Sequence, residues 1–231
     1  MTLKAILSDA GGILFDDSHT KTREYNYLSR FMRVSYRDFM ASFYPFKEKT
    51  QVRPGYTRDD AFSDYLALIG REDLLSGFKE YAADYSNRYY GDPSALLRPG
   101  VKDSLRLLKS KGVKFVVLTD SSQGSAEYGK FLERCGIAGD ISDIISSKDL
   151  GVKKPHPDFF RYALERHGLD VKDAAFVGHD HDELKGAHDF GLEVIALNYQ
   201  PELVASGELS FVPKENLIAS FSDILRLVGS R

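Results

Sequence analysis

Apolar positions in this chain follow two different periods. At the N-terminus a short apolar run, Leu3, Ala5, Ile6 and Leu7, stops at Asp9, and two glycines follow in LSDAGGILFD. From about residue 96 to the end, similar runs recur as VKFVVL, DIISS, AAFVG and EVIAL, which with the first make about five strands. Short runs rich in Val and Ile between polar turns have strand length and strand composition. Amphipathic stretches separate them. Val101, Leu105 and Leu108 mark one helix face, and a second helix is expected over 157–167 with Phe160, Ala163 and Leu164 inward. Gly112, Gly136 and Gly168 stand where helix C-termini are expected. Strand and helix alternation of this kind implies a parallel sheet covered on both faces, with its ligand beyond the carboxyl ends of the strands. Asp9, Thr119 and the acidic run at 179–183 all fall at such ends.

The stretch 18–95 breaks the alternation. Its apolar positions recur at helical spacing, as in Phe62, Tyr65, Leu66 and Ile69 and again in Phe78, Tyr81, Ala82 and Tyr85. Ser35 to Asp38 and Thr57 to Asp60 read as capping boxes opening two of these helices. The chain is therefore divided into an α/β core over 1–17 and 96–231 and a helical insertion over 18–95. The aromatic residues of the insertion are expected to be packing residues.

Composition limits what these elements can do. A chain of 231 residues with 42% hydrophobic and 28% charged content has the profile of a globular protein with room for one large domain and an insertion. A net charge of −3 leaves no electrostatic footprint for nucleic acid. No apolar run approaches the roughly 20 residues of a membrane span, and the N-terminus lacks a signal-peptide pattern, so a cytoplasmic protein is expected. Cys135 is the single cysteine; it shares a helical face with Tyr128, Phe131 and Leu132 and is expected to be a core thiol.

Four motifs carry chemistry: Asp9 at the end of the first strand, Thr119 closing VKFVVLTD, Lys154 in GVKKPHPDFF, and VGHDHDELKGA from Val177 to Ala187. A strand-end carboxylate can act as a nucleophile toward phosphorus or an activated carbon, giving a covalent intermediate that water breaks down. A lysine, a hydroxyl and a divalent ion can share the charge on a phosphoryl group. In this order, with a helical insertion directly after the first motif, the chain resembles the haloacid dehalogenase-like hydrolases over nearly its whole length. The resemblance implies a Rossmann-like core with helices on both faces and a helical cap domain that closes over the active site and sets substrate choice. It implies catalytic roles for Asp9, Thr119 and Lys154, a magnesium ion (Mg2+) with manganese or another divalent ion as alternatives, and a small phosphorylated substrate handled through an aspartyl-phosphate.

Three departures from the family pattern sit at motif positions. Gly11 stands where family phosphatases carry a second Asp as general acid, Ile13 replaces a Thr, and His179 occupies the place of a metal-binding Asp. The expected metal ligands are Asp9, the carbonyl of Gly11, and one or more of His179, Asp180 and Glu183. Counting back from Gly186 and Ala187 aligns His179 and Glu183 with the family's two acidic positions, whereas a small backbone shift would offer Asp180. Oxygen donation through Asp180 suits magnesium and is the preferred reading; an imidazole at His179 would instead favour manganese or zinc. His181 and His188 are expected to be surface or helix-packing residues. Loss of the general acid leaves other readings open: a degenerate member that binds a phosphorylated ligand or a protein without turnover, a phosphonate hydrolase using Lys47 or Lys49 as an amine, or a haloacid dehalogenase.

Overall fold

The computed structural model describes residues 3–16, 20–89 and 93–229. Its sheet has six parallel strands: β1 (Ala5–Ser8), β2 (Lys114–Thr119), β3 (Asp143–Ser146), β4 (Ala174–Gly178), β5 (Glu193–Leu197) and β6 (Leu217–Ile218). Their spatial order is β3-β2-β1-β4-β5-β6, so the chain runs outward through β2 and β3 and then crosses to the other side of β1. The gap beyond the carboxyl ends of β1 and β4 is the switch point where ligands bind in open α/β sheets.

Side chains alternate along each strand and divide the sheet's contacts between two cores. Ile6, Phe115, Val117, Ala175, Val177 and Ile195 face one cluster, which the helices α5 (Val101–Ser110), α6 (Ser125–Arg134) and α11 (Ile224–Gly229) cover with residues such as Leu105, Leu132 and Ile224. Ala5, Leu7, Val116, Leu118, Phe176 and Val194 face the other, covered by α8 (Pro157–His167) and α9 (His181–Phe190) through Phe159, Phe160, Leu184 and Ala187. Strands buried on both faces read as continuous apolar runs, which is why five were legible in the sequence. The sixth was not: β6 is two residues long, held beside β5 by buried Asn216, whose amide donates to the Val194 carbonyl at 2.9 Å. Cys135 lies buried in the first cluster, as expected.

The insertion is helical: α1 (Thr20–Met32), α2 (Tyr36–Val52), α3 (Arg58–Leu68) and α4 (Leu75–Tyr89). Their apolar faces meet in a third cluster of Leu28, Phe39, Phe43, Phe62, Tyr65, Leu66 and Phe78. Thr57 and Asp60 form the reciprocal capping box. At Ser35 the hydroxyl oxygen accepts from the Asp38 N–H at 3.1 Å and donates to the Asp38 carboxylate. Ile69 was grouped with the buried face of α3 but caps the helix C-terminus and is exposed. Where the chain leaves and re-enters the core, Phe15 bridges antiparallel to Leu97, so the two connecting segments lie side by side. Tyr85 and the junction residues at 17–19 and 90–92 lie outside the side chains described. A short helix, α7 (Ser147–Leu150), follows β3, and α10 (Pro201–Ala205) follows β5. Among the described residues no helix is long and apolar enough to cross a membrane.

Candidate active site

Strand register brings the first two motif residues together. Ser8 is level with Val117 of β2 and Val177 of β4, so Asp9 emerges one step beyond, close to Thr119 on one side and His179 on the other. Both Asp9 and Thr119 are buried. Lys154 arrives from the loop before α8, and its side chain is fully enclosed. Its ammonium donates to Asp9 Oδ1 at 2.6 Å and to the Leu118 carbonyl at 3.1 Å, and lies 3.0 Å from Glu183 Oε2. Gly186 makes this approach possible: a Cβ there would stand 2.3 Å from Pro155 Cβ, so any side chain at that position of α9 would drive the helix off the lysine loop.

Two carboxylates thus flank one ammonium, and Asp9 holds the better-aligned bond. Burial opposes ionisation of Asp9, but Lys154 and the neighbouring His179 more than reverse this and hold its carboxyl well below the usual range. Burial would also discharge Lys154; Asp9, Glu183 and Asp120 around it outweigh that and keep it charged. Glu183 is left the weaker share. Burial, partly countered by Lys154 and reinforced by Asp9 and Asp120, pushes it up to about 7. Among the described residues its Oε2 has no well-aligned hydrogen-bond donor, despite the short distance to Lys154.

His179 and Asp180 separate clearly. His179 Nε2 lies 3.5 Å from Asp9 Oδ2, and its ring covers Gly12, where a Cβ would stand 2.9 Å from Nε2. Gly12 also has a φ of +73°, so both its backbone and its missing side chain serve this contact. The Asp180 carboxylate, by contrast, is the N-cap of α9, accepting from the N–H groups of Asp182 at 2.9 Å and Glu183 at 3.4 Å. Two donors of one ion at about 2.0–2.2 Å each stand roughly 3–4 Å apart, a span the Asp9 and His179 pair matches. Among the described residues no three acidic, His or Cys side chains converge to enclose an ion by themselves. A cation here would be completed by backbone, water and substrate oxygens.

Several contributors carried no motif in the sequence. Asp120 follows Thr119, accepts from the Lys154 N–H at 3.2 Å, and has its carboxyl raised by burial. Its place directly after a strand-end hydroxyl was the available signal. Asn198, in left-handed conformation (φ 58°) beyond β5, donates to the Gly12 carbonyl at 3.3 Å and supports the nucleophile loop. Lys47 and Lys49 rest over cap aromatic rings, Lys47 at 5.2 Å from the Tyr44 centroid and Lys49 at 5.1 Å from that of Phe46. His188 packs on Phe211 with centroids 5.1 Å apart, in keeping with a helix-packing role.

A lysine-paired carboxylate thus lies buried at the switch point of a parallel sheet that carries a helical insertion. The haloacid dehalogenase-like hydrolase family matches residues 3–191, and the chain belongs to it. It is similar to the probable phosphatase IndB of Dickeya dadantii, 25% identical over 184 residues that cover 78% of each chain. It is also similar to a glyceraldehyde 3-phosphate phosphatase of Methanocaldococcus jannaschii, 34% identical over 112 residues, about half of either chain at 47% and 48%. The fold is shared with the crystal structure of a predicted phosphoglycolate phosphatase from Haemophilus somnus, with a TM-score of 0.66, 23% identity and 98% of both chains covered.

Proposed function

We propose that this hydrolase is a phosphatase of small phosphorylated metabolites that works through an aspartyl-phosphate on Asp9. The contact between Asp9 and Lys154 at 2.6 Å carries the reading, because it keeps a buried carboxylate ionised and therefore nucleophilic at neutral pH. The phosphatase names of the bacterial and archaeal relatives support the same reaction class. An Asp9 oxygen bonds to phosphorus as the ester oxygen leaves; water then attacks phosphorus, releasing inorganic phosphate and restoring the carboxylate. Lys154 and the Thr119 hydroxyl face the nonbridging oxygens and offset their charge.

Gly11 offers no proton, so the leaving oxygen takes one from solvent. Loss of a positioned acid costs typically about 10²- to 10⁴-fold, and esters with acidic leaving groups suffer least. A divalent ion, when bound, would add charge neutralisation at the phosphoryl oxygens. Asp9, His179 and the Gly11 carbonyl would hold it, with Glu183 behind them through Lys154. Because Asp180 is engaged in capping α9 and the remaining side-chain donor is an imidazole, manganese or zinc suits this set better than magnesium.

The test is hydrolysis of an aryl phosphate with each ion, in the wild type and in Asp9→Asn, which is nearly isosteric. Turnover that falls by more than about 10³-fold in the variant supports the nucleophile. Activity retained in Asp9→Asn would sink the assignment. A wild type that binds inorganic phosphate without turnover would instead identify a degenerate binding member, the reading that Gly11 favours.

A further inference from the structure

The C-terminal end of cap helix α2 meets a side chain from the core. The last carbonyls of any α-helix lack partners within the helix and carry the negative end of its dipole. Here a lysine from the other half of the molecule reaches one of them, together with the C-cap carbonyl and a carbonyl of the turn leading into α3. Lys148, in the short helix after β3, donates to the carbonyls of Thr50 at 3.0 Å and Arg53 at 2.9 Å, and to that of Tyr56. An ammonium has three hydrogens, and all three are used. Burial lowers the basicity of Lys148, and Asp60 and Asp149 counter this only in part.

The backbones meet as well. A Cβ at Gly151, which ends the same short helix with a φ of +74°, would stand 3.4 Å from the Val52 carbonyl. Two further contacts connect this helix end to the catalytic loops. Gln51 Nε2 donates to the Asp120 carbonyl at 2.8 Å, and Glu48 pairs with Lys153. Asp120 directly follows Thr119 and accepts from the Lys154 N–H, while Lys153 directly precedes Lys154. The cap's apolar cluster is distinct from the two that flank the sheet, so polar groups carry the docking at this end. The Glu48–Lys153 pair is half-exposed and worth little alone. Lys148, with three carbonyl acceptors, is the strong point of attachment.

We propose that Lys148 is a positioning residue for catalysis: seated in three carbonyls of the α2–α3 connection, it holds the cap against the loops that present Thr119 and Lys154. Its kinetic consequence rests on the phosphatase reading; its structural consequence does not. The two are therefore measured separately.

Lys148→Met keeps the stem and removes the donors. Hydrogen exchange should accelerate at the amides of 50–56 and 119–121 while β1, β2 and β4 stay protected. With an aryl phosphate, kcat/KM should fall by about 10- to 100-fold, mostly in kcat, since misplacement rather than lost ground-state binding is the defect. In Lys148→Ala, added methylammonium should restore part of the rate, whereas tetramethylammonium, which cannot donate, should not. Unchanged exchange at 50–56 and 119–121 overturns the proposal whether or not the wild type turns over phosphates. Loss of rate that merely follows global unfolding, without rescue by methylammonium, overturns it in favour of a structural role. An inactive wild type whose Lys148→Met variant shows the local exchange change retains the docking and fails only the phosphatase reading.

Discussion

At the rim of the sheet, charge is buried and rings stay behind it, whereas in the helical cap rings fill the interior and ammonium groups ride over their faces. Lys154, 3% exposed, sits between Asp9 and Glu183 at the rim. In the cap, Phe39, Phe43, Phe62, Tyr65 and Phe78 interlock with centroids 4.6 to 6.4 Å apart, and Lys47 and Lys49 lie over neighbouring rings. Burying ions costs free energy that apolar packing does not. A fold keeps such a cluster where it needs a charged group in a dry place, so the rim is built for chemistry and the cap interior for rigidity.

The hardest test of this contrast is Lys154→Met. Removing the shared cation leaves two carboxylates facing each other, which should abolish turnover and cost about 3–5 kcal/mol at pH 8. In the wild type, Asp9 is depressed below 3.8, so its contribution is present above that value and lost on acidification. Glu183 is raised from 4.5 to about 7, so its contribution is complete below 4.5 and lost as pH rises through about 7. In the variant both carboxyls lose their cation and rise, so the destabilisation should shrink steadily from pH 8 to pH 5. Chemical denaturation across that range measures it. A pH-independent loss would mean that Lys154 acts through packing and that the rim resembles the cap.

In the cap the corresponding change is Phe78→Ala. Phe78 is fully buried against Phe62, with centroids 4.6 Å apart, and truncation should cost about 3 kcal/mol or more. Because its cluster is separate from those beside the sheet, native-state hydrogen exchange should accelerate in α1–α4 and leave β1, β2 and β4 protected. Equal loss of protection in both regions would show that cap and core unfold as one unit.

What was legible in the sequence follows the same division. Strands buried on both faces announce themselves as apolar runs, and the residues at their ends fall on the rim by register, so Asp9 and Thr119 could be singled out; Lys154, on the loop before α8, was marked by the family resemblance alone. Asp120 could not, since a lone carboxylate after a strand is usually solvated. Lys148 was illegible for a different reason: its partner carbonyls are 98, 95 and 92 residues away and are backbone groups, which carry no residue code. Asp180 had a second signal that competed with metal binding. Glu183 follows it by three, the spacing of a helix cap, and the cap is what forms.

That competition yields the smallest expected effect and the sharpest one for the rim. If Asp180 caps α9 and His179 faces the nucleophile, Asp180→Ala should cost about 1 kcal/mol of stability, as for other lost N-caps, and leave divalent-ion affinity unchanged. His179→Ala should do the reverse, weakening manganese and zinc binding by about tenfold or more with little change in stability. Calorimetric titration of both variants with manganese, zinc and magnesium, without substrate, separates the roles independently of turnover. Magnesium affinity lost in Asp180→Ala but kept in His179→Ala would return the ion to the carboxylate. The imidazole over Gly12 would then be a packing group, and the rim would owe part of its shape to the ring packing that characterises the cap.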